Sequence, residues 1–272
     1  MQIKQEVSRS GIASVKRLIV WNYLCPSELA WVMDNGFESS SGNRAGDLAL
    51  MMASYRAAIE AYPGHEGANT DFLLTLALEE RWEDLLRGAR RFAHASGGHP
   101  TALLLAGLAL HRSERTEDAA EVFGAALDRS TVESAAALTD VGFLLDQPAE
   151  RSYRDLPAAE RRVYNEDFWA TRDRSWSTAV NERWVEHMAR ATIADLRHGG
   201  VFGDAGEVWV RFGGPKTIHI IDDGGGRLTE FWDYGNSGPD ITFVRWVSSE
   251  RTDLTPEGRA YVDDLGKIFP PQ

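Results

Sequence analysis

The chain is expected to be an α+β protein, with an N-terminal helical-repeat region followed by a small domain of helices packed on an antiparallel β meander. Three observations lead there. From about residue 45 to Leu145 the chain is almost free of strand signals and carries Ala and Leu at helical spacing. Within that stretch a pattern returns every 34 residues. Beyond a glycine-punctuated stretch, Gly200 to Pro215, short alternating runs are broken by Gly- and Asp-rich turns.

Composition narrows the function. The 272 residues include 29 basic and 41 acidic side chains, a net charge of -12, which argues against a surface that tracks phosphates. Nucleic acid is not an expected partner. The single cysteine, Cys25, excludes an internal disulfide and a thiolate metal cage, so a cytoplasmic location is expected.

Residues 1–44 read as an N-terminal arm and helix. The apolar run Leu18 to Pro26 is far shorter than the roughly 20 residues that cross a bilayer. Lys4, Arg9, Lys16 and Arg17 precede it and imitate a signal peptide, but Asn22 interrupts the run and Leu24 stands where a lipoprotein signal needs a small residue. The expectation is a helix over 18–34, broken near Pro26 and capped at Ser27, that packs on the repeats or leans on an anionic membrane surface. Export is kept as the alternative.

Residues 45–146 carry the repeat. Glu83-Asp84 returns as Glu117-Asp118, each pair opening the second helix of a hairpin, and Tyr55, Ala58, Ile59 and Pro63 fall in the closing helix of a preceding unit. In the unit Ala102 to Asp128, Gly107 sits where two helices must approach closely, and Ala119, Phe123 and Ala126 share one face; Leu85, Ala89 and Phe92 occupy the corresponding places one unit earlier. These residues resemble the tetratricopeptide repeat, which implies a curved surface for protein partners. A plain helical bundle is the competing expectation.

Residues 147–159, polar and marked by Pro148 and Pro157, read as a linker. A helix over Asn181 to His198 then ends at Gly199-Gly200. Six of the nine tryptophans lie between 169 and 246, so the second domain, 160–250, is expected to build its core on them. Four strands are expected there, at Glu207 to Phe212, Thr217 to Asp222, Leu228 to Tyr234 and Ile241 to Val247, joined as hairpins because the breaks are too short for parallel crossovers. Residues 251–272 read as a tail with a short helix at Thr255 to Leu265.

Phe168-Trp169, Arg172-Asp173, Asn181-Glu182 and the stretch from Gly200 to Pro215 resemble, in order and spacing, the bacterial GWxTD domain family. Gly200, Asp204 and Gly206 of its naming motif are kept, while Val201 and Gly203 stand where the family has tryptophan and threonine. Arg211-Phe212-Gly213-Gly214-Pro215 and the run Glu230 to Tyr234, which includes Trp232, carry the rest over residues 160–247. The resemblance brings no catalytic residues. It implies structural roles for Gly200, Asp204, Gly206, Gly213, Gly214, Pro215 and Trp232, with the glycines at positive backbone angles and Asp204 bonded to the amides of its own loop.

Arg172, Asp173, Asn181, Glu182 and Arg211 are the candidate binding residues, since an Arg, Asp, Asn and Glu borne on helices can converge on Arg211 to hold an anion or a peptide terminus. The competing reading is an ion-pair network that locks helices to sheet. No metal site is expected: among His65, His94, His99, His111, His187, His198 and His219 only His94 and His99 fall at ligand spacing, across a loop, so the histidines read as surface residues. The run Asp222 to Gly226 lacks the glutamate of a calcium loop and the lysine of a phosphate loop, and reads as a hairpin turn. Adjacent acids such as Glu79-Glu80 and Asp263-Asp264 point to different sides of a helix and do not form a catalytic pair. No cofactor is expected. The functional expectation is a non-enzymatic scaffold or structural subunit that binds protein partners, including a membrane protein complex, as against an enzyme or small-ligand binder sited at Arg172, Asp173, Glu182 and Arg211.

Overall fold

The computed structural model describes residues 44–173, 178–222, 227–235, 240–246 and 252–268. The N-terminal helix expected over 18–34, Cys25 and the tips of the hairpin turns lie outside them. The described chain is α+β: eleven α-helices and one four-stranded antiparallel sheet.

Five helices come first: α1 (Arg44–Ala61), α2 (Glu66–Leu78), α3 (Trp82–Ala95), α4 (Pro100–Arg112) and α5 (Thr116–Arg129). Helices α2 and α4 start 34 residues apart, and so do α3 and α5. The turns inside the two hairpins match as well. Glu80 and Glu114 both take positive φ, 54° and 60°, and Arg81 pairs with Asp84 as Arg115 pairs with Asp118. Each ion pair joins the residue before a helix to its first turn, where a carboxylate also favours the helix dipole. The close approaches are met differently in the two hairpins. Gly88 of α3 admits Leu73 of α2, whereas Gly107 of α4 admits the ring of Phe123 from α5; a Cβ would stand 2.5 Å and 2.7 Å from those side chains. The small partner has moved to the other helix, and the fit is kept.

Helix α6 (Val132–Thr139) leads through a 3-10 turn at Gly142–Leu144 to α7 (Gln147–Arg154) and α8 (Ala158–Ala170). The stretch expected as a linker is therefore helix. Asp146 caps α7 by accepting from the Ala149 amide at 2.9 Å, and Pro148 lies in its first turn, so the prolines mark helix starts rather than a domain break. Tyr153 of α7 is fully buried, and Arg154 reaches back to the buried Asp140 carboxylate at 2.7 Å.

Helix α9 (Glu182–His198) joins the hairpins to the rest of the fold. Asn181 caps its start, accepting from the Arg183 and Trp184 amides at 3.0 and 3.1 Å, and Gly199 ends it at φ 70°. It packs on α2, α4, α5 and α6, placing Val185, Met188, Ala189 and Ala191 in one core with Leu105, Leu108 and Phe123. The first helices of both hairpins thus meet α9 from the same chain, and the helical core runs without interruption across residues 147–159.

Helix α10 (Asp204–Phe212) replaces the first expected strand. Glu-Val-Trp-Val-Arg-Phe alternates as a strand would, but the alternation has another origin. Val210 faces the helical core, while Ala205 and Val208 face a second core under the sheet. Ala205, Val208, Trp209 and Phe212 also fall at i, i+3, i+4 and i+7, a helical stripe that faces the sheet core, and Val210 on the other side completes the apparent alternation. Asp204 and Glu207 in its first turn and Arg211 in its last suit the helix dipole, and Gly213, at φ 82°, stops it.

The sheet runs β1 (Thr217–Asp222), β2 (Arg227–Asp233), β3 (Asp240–Trp246) and β4 (Thr252–Leu254), in that spatial order, and α11 (Pro256–Ile268) returns against β3 and β4. Three of the four expected strands are present. The segment expected as a tail supplies a fourth and a helix whose Val262 joins the sheet core. His219 pairs with Phe231, and Phe231 with Thr242, so these three share one face; Ile218, Trp232 and Ile241 share the other.

Candidate functional site

The five polar residues singled out from sequence separate into two groups with different partners. At the α8–α9 connection, the guanidinium of Arg172 lies over the Phe168 ring at 3.7 Å and donates to the Phe168 carbonyl at 3.4 Å. Asn181 donates through Nδ2 to the Trp169 carbonyl at 2.6 Å while its oxygen caps α9. Asp173 and Glu182 flank this connection, half-buried. These contacts fix the angle at which α9 leaves α8.

Arg211 belongs to an ionic cluster elsewhere. It pairs with Glu207, one helical turn earlier, at 3.0 Å; Glu207 also accepts from Arg259 of α11 at 3.0 Å, and Arg259 closes on Asp204. Asp204 was expected to bond the amides of its own loop. Instead, from the first turn of α10, it faces β4, where its other oxygen accepts from the Leu254 amide at 2.7 Å. The cluster holds α10 to the chain's last strand and helix.

Sequence reasoning missed a third group, although its signal, an acid four residues before an arginine on one helix face, was present. Glu186 and Arg190 of α9 pair at 2.6 Å, Glu186 meets His111 of α4 at 2.7 Å, and Arg190 donates to the Val210 and Arg211 carbonyls at the end of α10. Two half-buried residues thereby bind α4, α9 and α10 together. Burial pushes the Glu186 carboxyl up, but the His111 hydrogen bond and the charges of Arg190 and Arg112 outweigh it and hold the group at about 2. Beside it, His187 is buried against the Trp169 ring at 4.9 Å with the Leu138 carbonyl accepting from Nε2 at 3.0 Å. Burial holds its imidazole at about 4.

His187 and His198 depart from the expected surface role: His187 satisfies one polar tip on the Leu138 carbonyl while its ring packs on Trp169, and His198 is drawn in by contacts with two indole rings. His198 lies between the Trp209 and Trp232 rings at 5.2 and 5.3 Å. Acid sensitivity follows from His187. Below pH 6.5 the unfolded imidazole takes up a proton that the folded one refuses until about pH 4, so stability falls as pH drops through that window. Glu186 adds a second loss, between 4.5 and about 2. The substitution His187→Gln is expected to flatten the first decline in urea titrations taken from pH 7 to 4; an unchanged slope would assign it to other groups.

The glycine-punctuated loop has a steric function. A Cβ on Gly206 would stand 2.1 Å from the Gly200 carbonyl oxygen, and Gly200 itself has φ 124°. Val201 is buried in the helical core. Gly214 packs against the Trp209 ring, and the Tyr234 hydroxyl donates to the Gly213 carbonyl at 3.0 Å. Trp232, 1% exposed, donates its indole N–H to the buried Glu230 carboxylate at 3.1 Å.

The opposite face of the sheet is uncovered among the described residues. Ile221 is 57% exposed and Phe231 37%, and they lie beside His219, Thr229, Thr242 and Val244 across β1, β2 and β3. Among the described residues no group of three or more His, Cys, Asp or Glu side chains could hold a metal ion, and no helix is long and apolar enough to cross a membrane. No protein-family model matches the chain, and no curated protein or solved structure matches it.

Proposed function

We propose that this chain is a non-enzymatic structural subunit that holds protein partners in a larger assembly; a membrane protein complex, on which it docks as an extrinsic subunit, is one such assembly. On this reading the hairpins α2–α3 and α4–α5 are tetratricopeptide-like units, supported by their shared 34-residue offset and matching left-handed turns. Residues 160–247 are a GWxTD-like module whose retained residues serve structure, as the contacts of Asp204, Gly206 and Trp232 support.

The observation that carries the reading is the uncovered sheet face with Ile221 and Phe231. Exposed apolar side chains on a sheet otherwise packed on both α10 and α11 suit a protein interface. The hairpin face is a poorer candidate, because α9 already packs on the first helix of each hairpin. The ligand-site alternative loses its geometry, since Arg211 is committed to Glu207 and Arg172 to Phe168.

Phe231→Ser tests the surface directly. The variant is expected to stay folded, with unchanged far-ultraviolet circular dichroism and a somewhat lower thermal midpoint from lost cross-strand packing, and to lose co-sedimentation with the native assembly below that midpoint. Full retention of co-sedimentation would move the interface elsewhere.

A further inference from the structure

We propose that two copies of this chain pair through β1, antiparallel about His219, to join their sheets into one of eight strands. The two edges of the sheet are built differently. At β4 the strand has only three residues, the outward amide of Leu254 is taken by the Asp204 carboxylate, and α11 folds back over the strand. Short strands, side-chain plugs and covering helices are the usual means of blocking edge pairing.

The β1 edge has none of these among the described residues. It is six residues long and pairs with β2 without a bulge from Thr217 to Asp222. Thr217 to Ile221 contain no charge and no proline, and two of the three isoleucines are β-branched neighbours of each other at its end. Such an edge offers a row of backbone donors and acceptors to any extended strand.

The occupant follows from charge and symmetry. At a net charge of -12, most approaches of one copy to another set like charge against like. The five residues centred on His219 are the charge-free strip on the sheet edge. Antiparallel pairing about His219 keeps each face of the sheet continuous, because residues of the same parity then stand opposite each other. Ile218 meets Ile220 of the partner subunit on the face that carries Trp232, and Thr217 meets the partner subunit's Ile221 on the open face. Each contact occurs twice, as a two-fold interface requires. The exposed Ile221 and Phe231, which lie towards the edge in one copy, come to lie near the middle of the joined face.

This inference does not rest on the assembly reading, and its test uses the purified full-length chain alone. Sedimentation over a wide concentration range is expected to give a reversible dimer. In a Cys25→Ser background, His219→Cys is expected to form an intermolecular disulfide on mild oxidation, because directly opposed residues of an antiparallel pair stand about 4.5–5.5 Å apart at Cα, within disulfide reach. Thr229→Cys, one strand inward, is the control that should not cross-link. His219→Lys and Ile221→Lys place charge on exposed positions that tolerate it, and each should weaken dimerisation by about tenfold or more while the far-ultraviolet circular dichroism is unchanged. A chain that is monomeric at all concentrations overturns the proposal. Protection of the β1 amides from hydrogen exchange in such a monomer would assign the edge to another segment of the same chain, and a dimer insensitive to both lysine variants would place the interface elsewhere.

Discussion

Gly206→Ala is expected to destabilise the protein by about 3 kcal/mol, at the upper end of what added methyl groups cost in packed interiors. The added carbon would stand 2.1 Å from the Gly200 carbonyl oxygen and 3.1 Å from Val201 Cα, and both obstacles are backbone, which has no rotamer to swing away. Relief requires α10 to move off the loop that follows α9. That movement would drag Val210 out of the helical core and Val208 out of the sheet core together. Gly124→Ala in α5 is the matched control, since nothing lies within 4 Å of its added carbon. There the change should gain up to about 1 kcal/mol through helix propensity alone. Urea midpoints of the two variants, measured side by side, separate the steric effect from the general cost of altering a glycine.

Phe123→Ala is expected to cost about 3–5 kcal/mol, the range for removing a buried aromatic ring. The ring is completely buried, fills the notch over Gly107 and meets the edge of Trp184 at 6.4 Å, so it joins α4, α5 and α9 at one point. Gly107→Ala alone should destabilise by about 1–3 kcal/mol through collision with that ring. In the double variant the collision disappears, because its partner is gone. The combined loss should therefore fall short of the sum by about 1 kcal/mol or more, a coupling that equilibrium unfolding of the four proteins measures. Strict additivity would show that the ring and the notch do not form the junction described.

Much of this architecture is legible in the chain because its signals are local. Asn181 before an amphipathic run and Gly199 after it define α9, and the turns around β1, β2 and β3 carry the glycines that hairpins need. The 34-residue offset of the helix pairs is legible for the same reason. What escaped depends on contacts far apart in sequence. Residues 207–212 read as a strand because Val208, Val210 and Phe212 alternate with polar or larger neighbours, although Ala205, Val208, Trp209 and Phe212 also carry helical spacing; Val210 adds the alternation because it serves the helical core on the opposite side. Once that segment is taken for a strand, Glu207 and Arg211 no longer look like partners one turn apart, and Arg211 becomes free to serve an imagined cleft. Asp204 reads as a loop residue bonded to its own amides, whereas it opens α10 and its partners Leu254 and Arg259 lie 50 and 55 residues away. The prolines at 148 and 157 look like breaks in the sequence, although the same residue type opens helices, as both do here.

These differences bear on function as well as fold. A separate repeat domain with an open groove would have made the hairpins the natural site of partner binding. With α9 packed on α2 and α4, and one core extending from the hairpins to Val210, the proposed interface shifts to the far side of the sheet, where Ile221 and Phe231 are exposed.

The measurement that tests the structural-subunit reading most directly is native co-purification: the chain is tagged at its C-terminus in the cells it comes from, extracted gently, and recovered from soluble and membrane fractions. The account predicts stoichiometric recovery with the same partner proteins, and loss of those partners when Phe231→Ser is introduced into a chain that remains folded. Recovery of the chain free of stoichiometric partners in both fractions, whether as a monomer or as a β1-paired dimer, would contradict it.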